Sequence, residues 1–75
     1  MKEVKRYTVS LLVDNNVADN VEKVLKSCII ATDSIKDKKI FYVVCNSEEP
    51  IKDALTIDGV TKLREEREVV IKLED

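Results

Sequence analysis

The sequence contains no histidine, and this absence excludes more chemistry than any other feature of its composition. Catalysis by Ser-His-Asp or Cys-His arrangements requires an imidazole base, and most protein zinc sites include histidine ligands. The aspartates and glutamates are abundant but scattered, and four aspartates lie near predicted element ends, where capping explains them. The sequence therefore predicts a protein that is not an enzyme and has no catalytic residues, no metal site and no cofactor.

Cysteine is also scarce, with one residue at Cys28 and one at Cys45, and their spacing matches no zinc pattern. The first six residues carry charge where a signal peptide would need an apolar segment, and no apolar run approaches the ~20 residues of a membrane span. We therefore expect a cytoplasmic protein with no membrane association. In that setting the cysteines are interpreted as reduced, buried apolar residues, with a disulfide or a reactive thiol as alternatives.

Basic residues are not in excess, since 13 lysines and arginines face 15 aspartates and glutamates, for a net charge of −2. The only basic cluster lies in residues 36–39 and is interrupted by an aspartate. The aromatic residues are Tyr7, Phe41 and Tyr42, and the last two are adjacent, so in a strand they point to opposite faces. A stacking platform for bases is therefore not formed, and binding of nucleic acid is not expected.

What the sequence does contain is a clear series of strand and helix patterns. Apolar and polar residues alternate over residues 7–13, which predicts a first strand with a turn at residues 14–16. A helical stripe follows, formed by Val17, Val21, Val24, Leu25 and Cys28. Residues 29–35 have the pattern of a polar strand, and residues 40–45 that of the most apolar strand in the chain.

The apolar strand at residues 40–45 has apolar side chains on both of its faces. One face carries Ile40, Tyr42 and Val44, and the other carries Phe41, Val43 and Cys45. Only one of these sets can lie beneath helices that cover one side of the sheet. The other set faces outward, and the sequence leaves open which set that is.

The second half of the chain predicts a short helix and a final strand. The helix begins at Ser47-Glu48-Glu49-Pro50, which has a capping hydroxyl, early acids and a first-turn proline. Gly59, the only glycine, is interpreted as the residue that ends this helix. Residues 69–73 alternate as a strand, whereas residues 60–68 are open to three interpretations: an extension of that strand, a helical turn or the first arm of a hairpin.

The order strand, helix, strand, strand, helix, strand predicts an α+β domain over residues 1–75, specifically a ferredoxin-like α/β plait. Its antiparallel sheet would have the strand order 4-1-3-2, with both helices on one face. The opposite face would then be left with apolar side chains in contact with water. Contiguous apolar surface on a small protein usually marks an interface.

The leading functional hypothesis is therefore a small regulatory module that binds a protein partner, or a second copy as a homodimer, through the open sheet face or an edge strand. A composition rich in Lys, Ile and Asn and poor in Gly, Ala and Arg favours an A+T-rich genome, such as that of a phage. The charged run at residues 64–68 is predicted to assist this binding, and its alternative interpretation is a solvated, solubilising surface. The predicted partner-binding residues are Leu12, Phe41, Val43, Val70, Arg64 and Arg67.

A second hypothesis comes from a loose resemblance to the ACT domain. The segment Ile57-Asp58-Gly59-Val60 resembles the short lead into the last strand of that family, and the predicted element order is similar. The resemblance implies a regulatory domain that binds a small ligand, with Asp14, Asn15 and Asn16 at the ligand-binding turn. Many ACT domains have a glycine in this turn, and this chain has none.

Overall fold

The computed structural model describes residues 2–64 and 67–73. It contains five strands and two short helices, with one turn of 3-10 helix (Asn15–Val17) between the first strand and the first helix. The strands are β1 (Lys2–Asp14), β2 (Ile29–Ile35), β3 (Lys38–Cys45), β4 (Val60–Lys62) and β5 (Arg67–Leu73), and the helices are α1 (Ala18–Val24) and α2 (Glu49–Leu55). The sheet is antiparallel with the order β2-β3-β1-β4, and β5 also pairs with β1.

Strand β1 organises the sheet because it pairs with three other strands. Its second half, from Tyr7 to Asp14, pairs with β3 along one edge. Along its other edge, residues Leu11 to Val13 pair with β4 and residues Lys2 to Thr8 pair with β5. A strand of 13 residues is about 43 Å long, which accounts for the 46 Å length of the molecule.

The core lies between one face of the central strands and the two helices. That face, here called the core face, carries Val9, Leu11 and Val13 of β1 and Phe41, Val43 and Cys45 of β3. These side chains pack with Ala18, Val21, Leu25, Ile51 and Ala54 from the helical segments, and all eleven are buried. Burial of each large apolar side chain contributes about 1.5–3 kcal/mol, so this cluster is the main source of stability.

The α+β class predicted from the sequence is confirmed, but the prediction of a ferredoxin-like plait is wrong. The sheet has five strands, because the chain after α2 forms two strands, β4 and β5, where one was predicted. The helices have only seven residues each, or about 10 Å of length, beside a much longer sheet. They therefore cannot cover one whole face of the sheet as the helices of a plait do.

The cysteines also differ from their predicted state, because Cys28 and Cys45 form a disulfide. Ile29 pairs with Val44 in the β2–β3 ladder, so Cys28 and Cys45 are the next pair in the same register. Their Cα atoms lie 4.5 Å apart, the spacing of a pair without mutual backbone hydrogen bonds. The disulfide therefore links the chain leaving α1 to the end of β3.

Gly59 does not end helix α2. The helix ends at Leu55, and its last turn is closed by Thr56, whose hydroxyl donates to the Asp53 carbonyl at 2.6 Å. Gly59 lies in the next turn, where Val60 N–H donates to the Ile57 carbonyl and φ of Gly59 is 95°. The Gly59 carbonyl accepts from Asp14 N–H at 2.9 Å, so this turn joins β4 to the end of β1.

Candidate functional site

The sheet surface opposite the core face is here called the open face. Alternate residues of a strand share a face, so the strand registers define its members. At its centre Ser10 lies opposite Tyr42, Leu12 opposite Ile40, and Thr8 opposite Val44. Strand β2 extends it with Ile29 beside Val44 and Ala31 beside Tyr42.

Apolar side chains on the open face remain accessible to solvent. Ile29 is 74% exposed and Tyr42 is 46% exposed, whereas Leu12, Ile40 and Val44 are partly buried by their neighbours. No residue of the core cluster lies on this side of the sheet. The open face is therefore a continuous surface of mixed apolar and hydroxyl-bearing side chains.

The structure shows which side of β3 faces outward and corrects two predicted partner-binding residues. Phe41 is fully buried and Val43 is 1% exposed, so neither side chain can contact a partner in this fold. The outward set is Ile40, Tyr42 and Val44, the other alternative left open by the sequence. Tyr42 thus occupies the place on the surface that Phe41 was predicted to have.

Val70 is also placed differently from the prediction, which put it on the open face of the sheet together with Leu12. Val70 pairs with Lys5, and Lys5 shares the side of β1 that carries Val9 in the core. Its side chain is 46% exposed because it lies beyond the helices, near the projecting end of β1. Leu12 does lie on the open face, where it is partly buried.

Arg64 and Arg67 lie at one end of the open face, and both border a pocket of about 640 Å³. Arg67 reaches it because β5 begins opposite Thr8 of β1. Arg64 reaches it because the chain leaving β4 stays against β1, where Leu63 N–H donates to the Ser10 carbonyl at 2.8 Å. The remaining lining comes from Thr8, Val9, Ser10, Tyr42, Val43 and Val44.

The pocket is rich in hydrogen-bond donors. Among its lining residues, Thr8, Ser10 and Tyr42 carry hydroxyl groups, and Arg64 and Arg67 carry guanidinium groups. Within residues 2–64 and 67–73, no side-chain hydrogen bond engages these hydroxyls and no carboxylate lies within ion-pair distance of Arg64 or Arg67. An anionic group bordered by apolar surface fits this chemistry best.

The turn predicted to bind a small ligand lies at another place, at the end of β1. Asp14, Asn15 and Asn16 do come together, and they line a pocket of about 400 Å³ with Asp37 and Lys38. The Lys38 ammonium donates a hydrogen bond to the Asp14 carboxylate, which raises the pKa of Lys38. The Asp14 carboxylate is therefore already engaged within the protein.

The chain matches no protein-family model, no curated protein and no solved structure. In the part of the chain that the structure describes, no group of three or more His, Cys, Asp or Glu residues is arranged to hold a metal ion. No helix in the same part is long and apolar enough to cross a membrane.

Proposed function

We propose that this protein is a small, non-catalytic interaction module that binds a protein partner through the open face of its sheet. The proposal rests on the apolar side chains of the open face that the core does not cover, above all the exposed Ile29 and Tyr42 beside the partly buried Val44. A domain of 75 residues buries only roughly 60% of the surface that its unfolded chain exposes, so each apolar side chain left outside the core is a loss of stability. Apolar residues that stay exposed together outside the core usually mark an interface with a partner.

The charges beside this surface indicate the chemistry of the partner. Arg64 and Arg67 present guanidinium groups, which bind carboxylates through paired hydrogen bonds. A partner segment with apolar side chains next to an aspartate or glutamate would satisfy both parts of the site. The partner that we propose is therefore a different protein that contains such a segment.

Single-stranded nucleic acid is a weaker candidate for the same face. Such binding relies on several aromatic side chains for stacking and on an extended basic surface. Tyr42 is the only aromatic residue among those that define the open face, since Phe41 is buried. The net charge of −2 also opposes binding to a polyanion.

A random peptide display library selected against the folded protein tests the proposal. We expect the selected peptides to combine apolar residues with aspartate or glutamate, and to lose about tenfold or more in affinity for Arg64→Glu/Arg67→Glu, since that change reverses both charges at the pocket. The control is Lys23→Glu/Lys52→Glu, which changes net charge equally on the exposed helix surfaces. Peptides without acidic residues, or equal losses in both variants, would contradict the proposal.

The cytoplasmic location expected from the sequence is part of this proposal, and the disulfide places a condition on it. Disulfides persist in oxidising compartments, whereas cytosolic ones are mostly transient. In the cytoplasm the bond between Cys28 and Cys45 would therefore be reduced for part of the time. Alkylation of thiols in freshly lysed cells, followed by mass measurement, reports the state that the protein has in the cell.

An ACT-like ligand site remains a second candidate, because Asp14, Asn15 and Asn16 do line one pocket. The bond from Lys38 to Asp14 weighs against it, since a ligand would have to compete with that ammonium. Thermal unfolding in the presence of each of the common amino acids tests this candidate. A ligand-dependent rise in Tm that Asn15→Ala/Asn16→Ala abolishes would support it.

A further inference from the structure

Strand β2 forms an edge of the sheet that no other part of the described chain covers. It pairs with β3 on one side only, and its seven residues are exposed apart from the partly buried Ile30. Natural edge strands are usually protected by lysine, proline, bulges or a covering loop. Within β2 the only charged residue is Asp33, and there is no lysine, proline or glycine.

The ladder geometry shows which backbone groups of β2 point away from the sheet. The 4.5 Å spacing of the Cα atoms of Cys28 and Cys45 marks their pair as one without mutual hydrogen bonds. Bonded and non-bonded pairs alternate along an antiparallel ladder, so Ile30, Thr32 and Ser34 also occupy non-bonded positions. Their N–H and C=O groups are therefore directed to the free edge.

We propose that two copies of this protein associate by antiparallel pairing of their β2 strands about a two-fold axis at Thr32. In this register Thr32 lies opposite Thr32 of the second copy, and Ile30 lies opposite Ser34 of the second copy. All three outward-directed residues are then hydrogen-bonded, with about six backbone bonds across the interface. The two five-stranded sheets become one continuous sheet.

The same register matches the side chains of the two strands. On the open face, the exposed Ile29 lies opposite the exposed Ile35 of the second copy, so the two isoleucines cover each other. Asp33 lies opposite Ala31 of the second copy, which keeps the two carboxylates from meeting directly. A strand that complements itself in this way fits a second copy better than an unrelated partner.

On the face of β2 that is turned toward the helices, there is also room for side chains of the incoming strand. A groove of about 390 Å³ runs between α1 and β2, and it is lined by Leu25, Ile30 and Thr32 together with Glu22, Lys26 and Cys28. The short side chains at positions 32 and 34 of the second copy would enter this space. The backbone bonds of this association lie along an edge, and Ile29 is the one residue of the proposed partner surface that the second copy would cover. The association therefore goes beyond the proposed function and does not depend on it.

Sedimentation equilibrium of wild type and Thr32→Pro tests the proposal. Proline removes an N–H that makes no bond to β3, so the fold should be kept while the dimer Kd rises about tenfold or more. Thr32→Val keeps the N–H and should dimerise like wild type. A wild-type protein that stays monomeric up to about 1 mM overturns the proposal, as does an unchanged Kd for a folded Thr32→Pro.

A charge-swap series tests the register and does not depend on proline being tolerated. Ile29→Lys alone and Ile35→Glu alone should each weaken the dimer, because each places a charge against an isoleucine of the second copy. Ile29→Lys/Ile35→Glu should recover affinity about tenfold over either single variant, since each introduced ammonium then faces an introduced carboxylate. A double variant no tighter than the singles would show that this register is wrong.

Discussion

At the scale of single residues, two of the backbone positions within residues 2–64 and 67–73 have positive φ, and their residues differ. Gly59 has φ of 95°, which glycine adopts without strain. Lys36 has φ of 53° in the two-residue turn between Ile35 and Lys38, a conformation that costs an L-residue about 1–2 kcal/mol. Glycine therefore suits the backbone conformation at position 59, whereas lysine is strained at position 36.

Gly59→Ala should lower the free energy of unfolding by about 1–2 kcal/mol or more. Part of the loss comes from the positive φ, and part from contact, since an added Cβ would lie 2.9 Å from Oδ2 of Asp14 and 3.2 Å from Cγ2 of Val17. Urea unfolding followed by circular dichroism measures the change. Stability equal to that of wild type would mean that this turn has another conformation.

Lys36→Gly should have the opposite effect and raise the free energy of unfolding by up to about 1 kcal/mol. Relief of the left-handed conformation outweighs the added freedom of the unfolded chain at this position. The same urea measurement applies, with Lys39→Gly as a control within β3, where glycine should destabilise. A loss of stability in Lys36→Gly would argue against this turn geometry.

The ion pair between Lys38 and Asp14 leads to a dependence on pH. The pKa of Lys38 lies above its ordinary value of 10.5, because its ammonium donates a hydrogen bond to Asp14 and is attracted by that carboxylate. A raised folded-state pKa means that the contribution to stability is complete below the unfolded pKa and is lost as pH rises through the folded one. This pair therefore stabilises the protein at neutral pH.

Lys38→Met should thus be less stable than wild type at neutral pH, by an amount that is constant up to about pH 10 and shrinks above it. Urea unfolding of both proteins at about pH 7, 9 and 11 measures the difference. A difference that grows at alkaline pH would contradict the assigned pair.

The outward side of β3 could not be read from its own residues, because both sides are apolar. A signal was present elsewhere in the sequence. Cys28 belongs to the apolar stripe of the predicted first helix, and a disulfide to Cys45 would place Cys45 on the same side as that helix. Phe41 and Val43 share the side of Cys45. The interpretation of the cysteines as reduced therefore hid the evidence that would have placed Tyr42 outside.

At the scale of elements, the sequence predicted the strands and helices that have a clear apolar period, missed the first half of β1 and left β4 open. Strand β2 was predicted with the bounds that it has, residues 29–35. The first half of β1, with Lys2, Lys5 and Arg6, was missed, because a two-stranded ribbon in water needs no alternation of apolar residues. Residues 60–68 were left open for a similar reason, and part of that segment, residues 65–66, lies outside the described structure.

The projecting ribbon of β1 and β5 should be the least stable part of the sheet. Its residues Val4 and Arg6 pair only with Ile71 and Val69, and no core residue lies beside them. Two-stranded ribbons without a packed face are marginal in water. We expect amide protection factors there about 100-fold or more below that of Leu11, measured by hydrogen exchange with NMR. Equal protection throughout β1 would contradict this expectation.

Reduction of the Cys28–Cys45 disulfide should destabilise the protein without changing its fold. The bond closes a loop with a sequence separation of 17 residues, and loop-closure entropy predicts a loss of about 3 kcal/mol on reduction. Urea unfolding with and without dithiothreitol measures the loss. Cys28→Ser/Cys45→Ser serves as the control, since reductant should leave its stability unchanged. If protein kept without reductant and then denatured has two free thiols, the bond between Cys28 and Cys45 does not form.

At the scale of the whole molecule, the element order favoured a ferredoxin-like plait, and the lengths of the elements overturned it. A period of apolar residues locates a helix but does not fix its end, and the stripe from Val17 to Cys28 predicted a helix longer than α1. The charged first residues in turn gave no sign that β1 would reach 13 residues. With short helices and a long central strand, apolar surface remains outside the core, and this surface is the basis of the proposed function.

The pocket on the open face and the free edge of β2 share no residue, so their proposed roles can be separated by experiment. Thr32→Pro should prevent dimerisation and leave peptide binding at the open face intact. Arg64→Glu/Arg67→Glu should weaken peptide binding and leave the dimer intact, since both arginines border the pocket with Tyr42 on the open face, whereas Thr32 lies on the free edge. Loss of both activities in either variant would indicate unfolding rather than loss of one surface.

A methyl NMR titration of the labelled protein with a peptide selected from the library tests most directly whether a partner binds the open face. We expect shifts at the methyl groups of Leu12, Ile40 and Val44 on the open face, with the methyl groups of Leu11 and Val43 in the core little affected. Shifts confined to the exposed surfaces of the helices, with the open face unchanged, would contradict the proposed function.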